Sequence, residues 1–303
     1  MSVLTSPEAV PSRIGAVFRY LLTCEGQAER LDQLVAVLSP QNLRRTSDTQ
    51  IKFKPPEVMR QVIDECRKLG LTSHEGDKGD LRVCLSERSR SLYGRKDFDV
   101  DQFTKLIRVL LMDENNSANH DMCCLLAWLL AQDAYEFTGY EKGLSEQHKK
   151  ELGSYINNAQ FGDLRDWSVF LGLAWRFRSS VPGQAGVRLM PDPTKYMLSF
   201  LQDTFKQASA KQISLPELLG KIAIDCPVLQ GGFFYKQIAA SLPSIDKGNI
   251  SSALSVALLR LQEREIIGLE SKSDAPVMVL ADRKNSIRVT HVVVNRVLRV
   301  AKK

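Results

Sequence analysis

The spacing of apolar residues passes from helical to strand-like twice along this chain, in the same order, near its two ends. Between Pro11 and Leu22, Ile14, Val17, Phe18, Leu21 and Leu22 recur at i, i+3, i+4, i+7 and i+8, one face of a helix, with Ser12 as a candidate N-cap. A second helix is expected over Glu29 to Leu38, where Leu31, Leu34, Val35 and Leu38 are in register and Ser39-Pro40 ends it. A third is expected from Pro56 to Leu69, with proline in its first turn and Gly70 just past its end. Its stripe is Val58, Met59, Val62, Ile63, Cys66 and Leu69. A polar turn from His74 to Gly79 follows. Leu81, Val83 and Leu85 then alternate with polar neighbours, the period of a half-buried strand.

The C-terminal segment gives the same order. Ser214 to Cys226 predicts a helix with Leu215, Leu218, Leu219, Ile222 and Ala223 on one face. A second is expected from Gly232 to Leu242. A third carries Ile250, Ala253, Leu254, Ala257, Leu258 and Leu261, capped by Asn249 or Ser251. Strands are expected at Ile266–Glu270, Val277–Leu280 and Ile287–Val294. The third helices end alike: Cys66-Arg67-Lys68-Leu69-Gly70-Leu71 and Glu263-Arg264-Glu265-Ile266-Ile267-Gly268-Leu269 both run from charge through apolar and Gly to Leu.

Between these ends lies helical spacing at Val100–Leu111, Met122–Ala134, Glu146–Ile156, Asp163–Phe177 and Thr194–Phe205, with a loop over Val181–Gly186. The expected fold is mainly α with small β-hairpins. Two winged-helix modules, residues 1–96 and 208–303, flank a helical middle domain, residues 97–207. In such modules the third helix enters the major groove and the hairpin, or wing, meets the phosphate backbone.

Charge sharpens this division. Residues 1–96 hold 16 Lys+Arg against 12 Asp+Glu, a net of +4. Residues 97–207 hold 11 against 15, a net of −4. Residues 208–303 hold 14 against 8, a net of +6. A polyanion would therefore meet the ends rather than the middle. On the N-terminal module the candidate DNA contacts are Arg44, Arg45, Lys52 and Lys54 before the third helix, Arg60 on it, and Lys78 and Arg82 on the wing. Gln61, Arg67 and Lys68 are further exposed positions, and Arg88, Arg90, Arg95 and Lys96 form a basic tail. Glu57, Asp64 and Glu65 on the same helix oppose a phosphate backbone. On the C-terminal module Ser251, Ser252 and Ser255 open the exposed face of the third helix, followed by Arg260. Lys272, Arg283, Lys284 and Arg288 lie on or near its wing, and Arg296, Arg299, Lys302 and Lys303 form a basic end. The C-terminal module is the better DNA candidate on these grounds.

Chemistry-bearing motifs are missing. There is no G-x-x-x-x-G-K-[ST] loop, G-x-G-x-x-G turn, G-x-S-x-G elbow or H-E-x-x-H pair. The four histidines, His74, His120, His148 and His291, are dispersed. A non-enzymatic protein without a cofactor is expected. His120, Cys123 and Cys124 could offer three metal ligands, but no second ligand group stands at standard spacing. The six cysteines form no C-x-x-C pair and read as buried reduced thiols. No apolar run reaches the roughly 20 residues of a membrane span, and no secretory leader opens the chain. A cytoplasmic protein is expected. Trp128, Trp167 and Trp175 read as core residues, the last two on one helix face.

The opening Leu4-Thr5-Ser6-Pro7-Glu8-Ala9-Val10-Pro11-Ser12-Arg13, the chain length and the domain order resemble the DpdG family. That family belongs to the bacterial cluster that places 7-deazaguanine derivatives in DNA and restricts unmodified DNA. The resemblance implies a non-catalytic partner of helicase-like and nuclease-like proteins in a phage-defence complex, and it carries over no catalytic residue. Three functions stay open: a double-stranded DNA-binding accessory protein, a scaffold that docks partners through its winged helices, and a transcription regulator. The helical block is open to acting as spacer, dock or homodimer interface.

Overall fold

The computed structural model describes residues 8–39, 55–77, 79–135, 139–180, 186–206, 211–242, 249–273, 275–281 and 287–295. These form twelve α-helices and four small sheets. The mainly helical class with small antiparallel sheets is thus observed; the one parallel pairing joins two short strands near the C-terminus. The chain divides into two compact units, residues 1–122 and 123–303.

The first unit begins with α1 (Pro11–Thr23), followed by β1 (Ala28–Arg30), α2 (Leu31–Leu38), α3 (Pro55–Lys68), β2 (Thr72–Glu75) and β3 (Arg82–Leu85). Val10, not Ser12, holds the N-cap position of α1, and no side chain caps it. Pro11 presets the first helical φ, so the helix starts before the serine can act as cap. Ile14, Val17, Phe18 and Leu21 of α1, Leu34 and Val35 of α2, and Val62, Ile63 and Cys66 of α3 are buried together with Val83 and Leu85 of β3. Gly70 ends α3 at φ +80°, a conformation that a residue with a Cβ adopts only with strain. Ala28–Arg30 is a strand rather than the first turn of α2. It pairs with β3, which runs between β1 and β2, giving the sheet order β1-β3-β2.

The segment after β3, expected as a basic tail, folds into α4 (Glu87–Tyr93), capped by the Ser86 hydroxyl, and α5 (Val100–Leu111). Aromatic packing explains why these helices join the first unit. Phe18 meets Tyr93 edge-on at 4.8 Å and stacks on Phe103 at 4.9 Å, with Phe98 at 6.4 Å. Part of the expected middle domain therefore belongs with the N-terminal core.

In the second unit, α7 (Glu141–Leu152) and α8 (Asn158–Phe170) follow α6 (His120–Ala131), which contains the division between the units. The single helix expected over Asp163–Phe177 is not formed. α8 stops at Phe170, Gly172 turns at φ +75°, and β4 (Ala174–Ser179) pairs with β5 (Gly186–Pro191) in an antiparallel ribbon. Trp167 and Trp175 consequently share no helix face. The first four residues after Ser180 in the expected loop, and Ala185, lie outside the described residues.

The remainder is α9 (Thr194–Phe205), β6 (Gln212–Ser214), α10 (Leu215–Asp225), α11 (Phe233–Ala239), β7 (Asn249–Ile250), α12 (Ser252–Glu263), β8 (Ile267–Glu270), β9 (Met278–Leu280), β10 (Ile287–Val289) and β11 (His291–Val294). The expected strand Ile287–Val294 is two strands serving two sheets. β10 joins β9 and β7, whereas β11 runs between β6 and β8. Thr290 is the pivot. It is fully buried; its N–H donates to the Glu270 carbonyl at 2.8 Å, its carbonyl accepts from Leu215 N–H at 2.8 Å, and its Oγ1 accepts from Lys272 N–H at 2.9 Å.

The order α9-β6-α10-α12-β8-β11, with sheet order β6-β11-β8, thus repeats the threading α1-β1-α2-α3-β2-β3. The repeat starts at α9, a helix expected to belong to the middle domain. Its additions are α11 and the small sheet β10-β9-β7.

Because the Thr290 hydroxyl is buried and bonded to backbone, Thr290→Val should lower stability by about 1–3 kcal/mol. Urea unfolding followed by circular dichroism measures this, and Thr290→Ser should retain most of the wild-type midpoint.

Candidate nucleic-acid interface

α3 buries Met59, Val62, Ile63 and Cys66, which turns Glu57, Arg60, Gln61 and Arg67 outward. Its bases do not stand alone. Arg60 reaches Asp32 on α2 at 2.5 Å, Arg67 holds Asp64 at 2.8 Å, and Lys68 spans Asp64 at 2.7 Å and Glu65 at 2.8 Å. Burial alone would raise the Asp64 carboxyl, yet hydrogen bonds from Lys68 and Arg67 outweigh it and hold the group below the usual carboxylate range. The same contacts with Asp64 and Glu65 raise the Lys68 ammonium. Each such exposed pair is worth roughly 0–1 kcal/mol, so they steer the field more than they stabilise the helix. The exposed face of α3 is close to electroneutral.

The flanking positive charge is uneven. Arg88 pairs with Asp113, and Arg95 reaches Asp97 at 2.8 Å and Asp99 at 3.2 Å. The basic tail is thereby half neutralised by acids around α5. Arg82 on β3, Arg90 on α4 and Lys96 are exposed and form no ion pair among the described residues. Arg82 and Arg90 both act electrostatically on the Cys84 thiol, which burial and Glu75 nevertheless push up. Arg44, Arg45, Lys52, Lys54 and Lys78 lie outside the described residues.

The C-terminal counterpart departs from expectation. Ser251 caps α12 by accepting from Leu254 N–H at 3.4 Å, while its own N–H donates to Gln230 Oε1 at 2.7 Å. The Ser252 hydroxyl donates to the Gln132 carbonyl at 3.2 Å and accepts from Ala134 N–H at 2.8 Å. Ser255 is fully buried; it donates to the Ile250 carbonyl at 3.3 Å and accepts from Ala281 N–H at 2.9 Å. The expected exposed serine face is thus corrected: the sheet β10-β9-β7 and the segment after α6 cover it. Arg260 pairs with the buried Asp192 rather than facing outward freely. Lys272 meets Glu270 at 3.5 Å, and Arg288 on β10 is exposed without an ion pair among the described residues. Arg283, Lys284, Arg296, Arg299, Lys302 and Lys303 lie outside the described residues.

Trp128 and Trp167 are fully buried, and Trp128 donates to Glu151 at 2.7 Å. Trp175, expected in the core, is instead 52% exposed on β4. The alternation Trp175-Arg176-Phe177-Arg178 is a strand-period signal that the helical reading of this segment passed over. Cys66, Cys84, Cys123 and Cys226 are buried, Cys24 and Cys124 partly so, and all six are free thiols. Among the described residues, no group of three His, Cys, Asp or Glu is placed to hold a metal ion, and no helix is long and apolar enough to cross a membrane.

These features define a two-unit, mainly helical protein whose repeated threading frames small basic surfaces. The DpdG-like family model matches residues 1–275, and the chain belongs to the DpdG-like family. The resemblance drawn from Leu4–Arg13 therefore extends over most of the chain. Neither a curated protein nor a solved structure matches it.

Burial, and after it Arg67, push the His74 imidazole on β2 below its ordinary range, with Asp64 opposing. A base whose folded pKa is depressed leaves the unfolded chain to take the proton first. Its neutral form supports full stability above the unfolded value of about 6.5, and stability falls as pH drops through that value. Lowering pH from about 7.5 to about 5.5 should reduce the Tm of the wild type more than that of His74→Gln in differential scanning calorimetry.

Proposed function

We propose that this chain is a non-catalytic, nucleic-acid-binding accessory component of a 7-deazaguanine DNA modification and restriction system, with the first unit as its duplex contact. The observation that supports this reading is the threading α1-β1-α2-α3-β2-β3 with the last strand central, which we read as a winged helix. In that reading α3 lies in or along the major groove. Arg82 and Arg90, with Arg44, Arg45, Lys52, Lys54 and Lys78, are the proposed phosphate contacts. Membership of the DpdG-like family supports the system context.

Two observations favour a second reading, in which the modules dock proteins. The α3 face is self-neutralised, and α12 is covered. The second module then acts as a scaffold for helicase-like or nuclease-like partners, even where the first touches DNA.

Fluorescence anisotropy with a labelled duplex at two salt concentrations separates the readings. Binding should weaken with salt, and the double change Arg82→Glu, Arg90→Glu should reduce the magnitude of the log–log salt slope by about 0.9 per lost phosphate contact. Asp64→Asn, which releases Arg67 and leaves Lys68 with Glu65 alone, should strengthen duplex binding by about two- to fivefold. Salt-independent or undetectable binding, together with stable co-purification of a helicase-like or nuclease-like protein, sinks the duplex reading and leaves the scaffold.

A further inference from the structure

The β4–β5 ribbon presents chemistry that neither winged-helix threading uses. Antiparallel register places Trp175 opposite Met190 and Phe177 opposite Arg188, so these four share one face. The Trp175 and Phe177 rings stack with centroids 5.4 Å apart at 29°. Trp175 is 52% exposed. Leaving so large an aromatic surface in water forgoes the burial that the other two tryptophans obtain.

The surroundings are cationic. Residues 174–191 contain Arg176, Arg178 and Arg188 and no Asp or Glu. The Arg260 guanidinium lies 6.0 Å from the centroid of the Trp175 ring. Asp192, itself buried, fixes Arg260 by an ion pair while accepting from Thr194 N–H at 3.1 Å at the start of α9. The guanidinium beside the indole is therefore anchored rather than mobile. On the opposite face Arg176 approaches Asp166 at 3.7 Å, an acid that Arg165 already holds at 2.7 Å. Arg178 is exposed and has no ion pair among the described residues.

We propose that this ribbon is a binding site for single-stranded nucleic acid, in which an unpaired base stacks against Trp175 beside Phe177 and the strand, crossing the ribbon edge, brings a phosphate to the exposed Arg178 on the other face. A half-exposed indole among guanidinium groups matches a nucleobase next to its phosphate. A duplex hides its base faces, so it cannot use this platform. An acidic protein segment would satisfy the arginines but not the stacked pair of rings. The site is distinct from the duplex contact assigned to the first unit, and either can fail without the other.

Intrinsic fluorescence of the full chain tests the site directly, because Trp128 and Trp167 are fully buried and Trp175 is the exposed indole. Titration with an oligothymidylate of about twelve nucleotides at low salt should quench saturably. Trp175→Ala should abolish the quench and weaken single-strand binding, read by anisotropy, by about tenfold or more, while Trp175→Phe retains most of the affinity. Arg178→Glu, at an exposed position, should weaken the same binding with an unchanged melting curve. Binding to a blunt duplex of equal length should be unaffected by all three changes. The proposal is overturned if the wild type shows neither quench nor single-strand binding, if Trp175→Ala and Arg178→Glu both bind like the wild type, or if single-strand and duplex binding fall together.

Discussion

Two of the three three-stranded sheets are completed by a strand that comes last in sequence and lies in the middle. β3 lies between β1 and β2, and β11 between β6 and β8, so each of these sheets joins strands that helices separate in sequence. The central position gives that strand a hydrogen-bonded neighbour on each side. It also joins residues far apart in sequence, such as Val292 with Ile213 and Leu269. Such long-range pairing requires loop closure before it rewards the chain. The apolar side of each central strand meets this cost: Val83 and Leu85 in one unit, Val292 and Val294 in the other, are buried. The position of Arg82 and the covering of α12 follow from where those two strands sit.

In the second unit the constraint is stricter, because the chain enters the central position straight from another sheet. Thr290 has its N–H, carbonyl and hydroxyl all engaged between β10 and β11. A β-branched residue fits extended backbone, and its hydroxyl answers the Lys272 amide that the change of sheet leaves without a strand partner. This corner sets β10-β9-β7 over the start of α12, and thereby decides what that helix exposes.

Much of the element order was legible because α1, α3, α5 and α9 are amphipathic and long enough to repeat their stripe. α5 and α9 match their expected limits residue for residue. What escaped was short or partner-dependent. β1 and β6 have three residues each, too few to display a period, and form only against strands distant in sequence. α4 spans seven residues whose signal is the Ser86 cap rather than a stripe. The helix expected through Phe177 failed at Gly172, where a left-handed turn ends helical propagation. At the candidate interface, acids on α3 were legible as opposing DNA. Their pairing geometry, which cancels Arg67 and Lys68 rather than merely diluting them, was not.

The serines of α12 show how topology and exposure separate. α3 and α12 occupy equivalent places in the two threadings, yet α3 is apolar along one stripe while α12 carries Ala253, Leu254, Val256, Ala257, Leu258 and Leu261 over most of its circumference, all buried. A helix apolar nearly all round must be enclosed. Serine on such a helix returns its hydroxyl to nearby backbone, as Ser255 does to the Ile250 carbonyl. The width of the stripe, more than its period, therefore distinguishes a helix that can lie in a groove from one that supports the fold. By that measure the first unit retains a helix with a solvent-facing side, and the second has turned its counterpart into core and exposes the Trp175 ribbon instead.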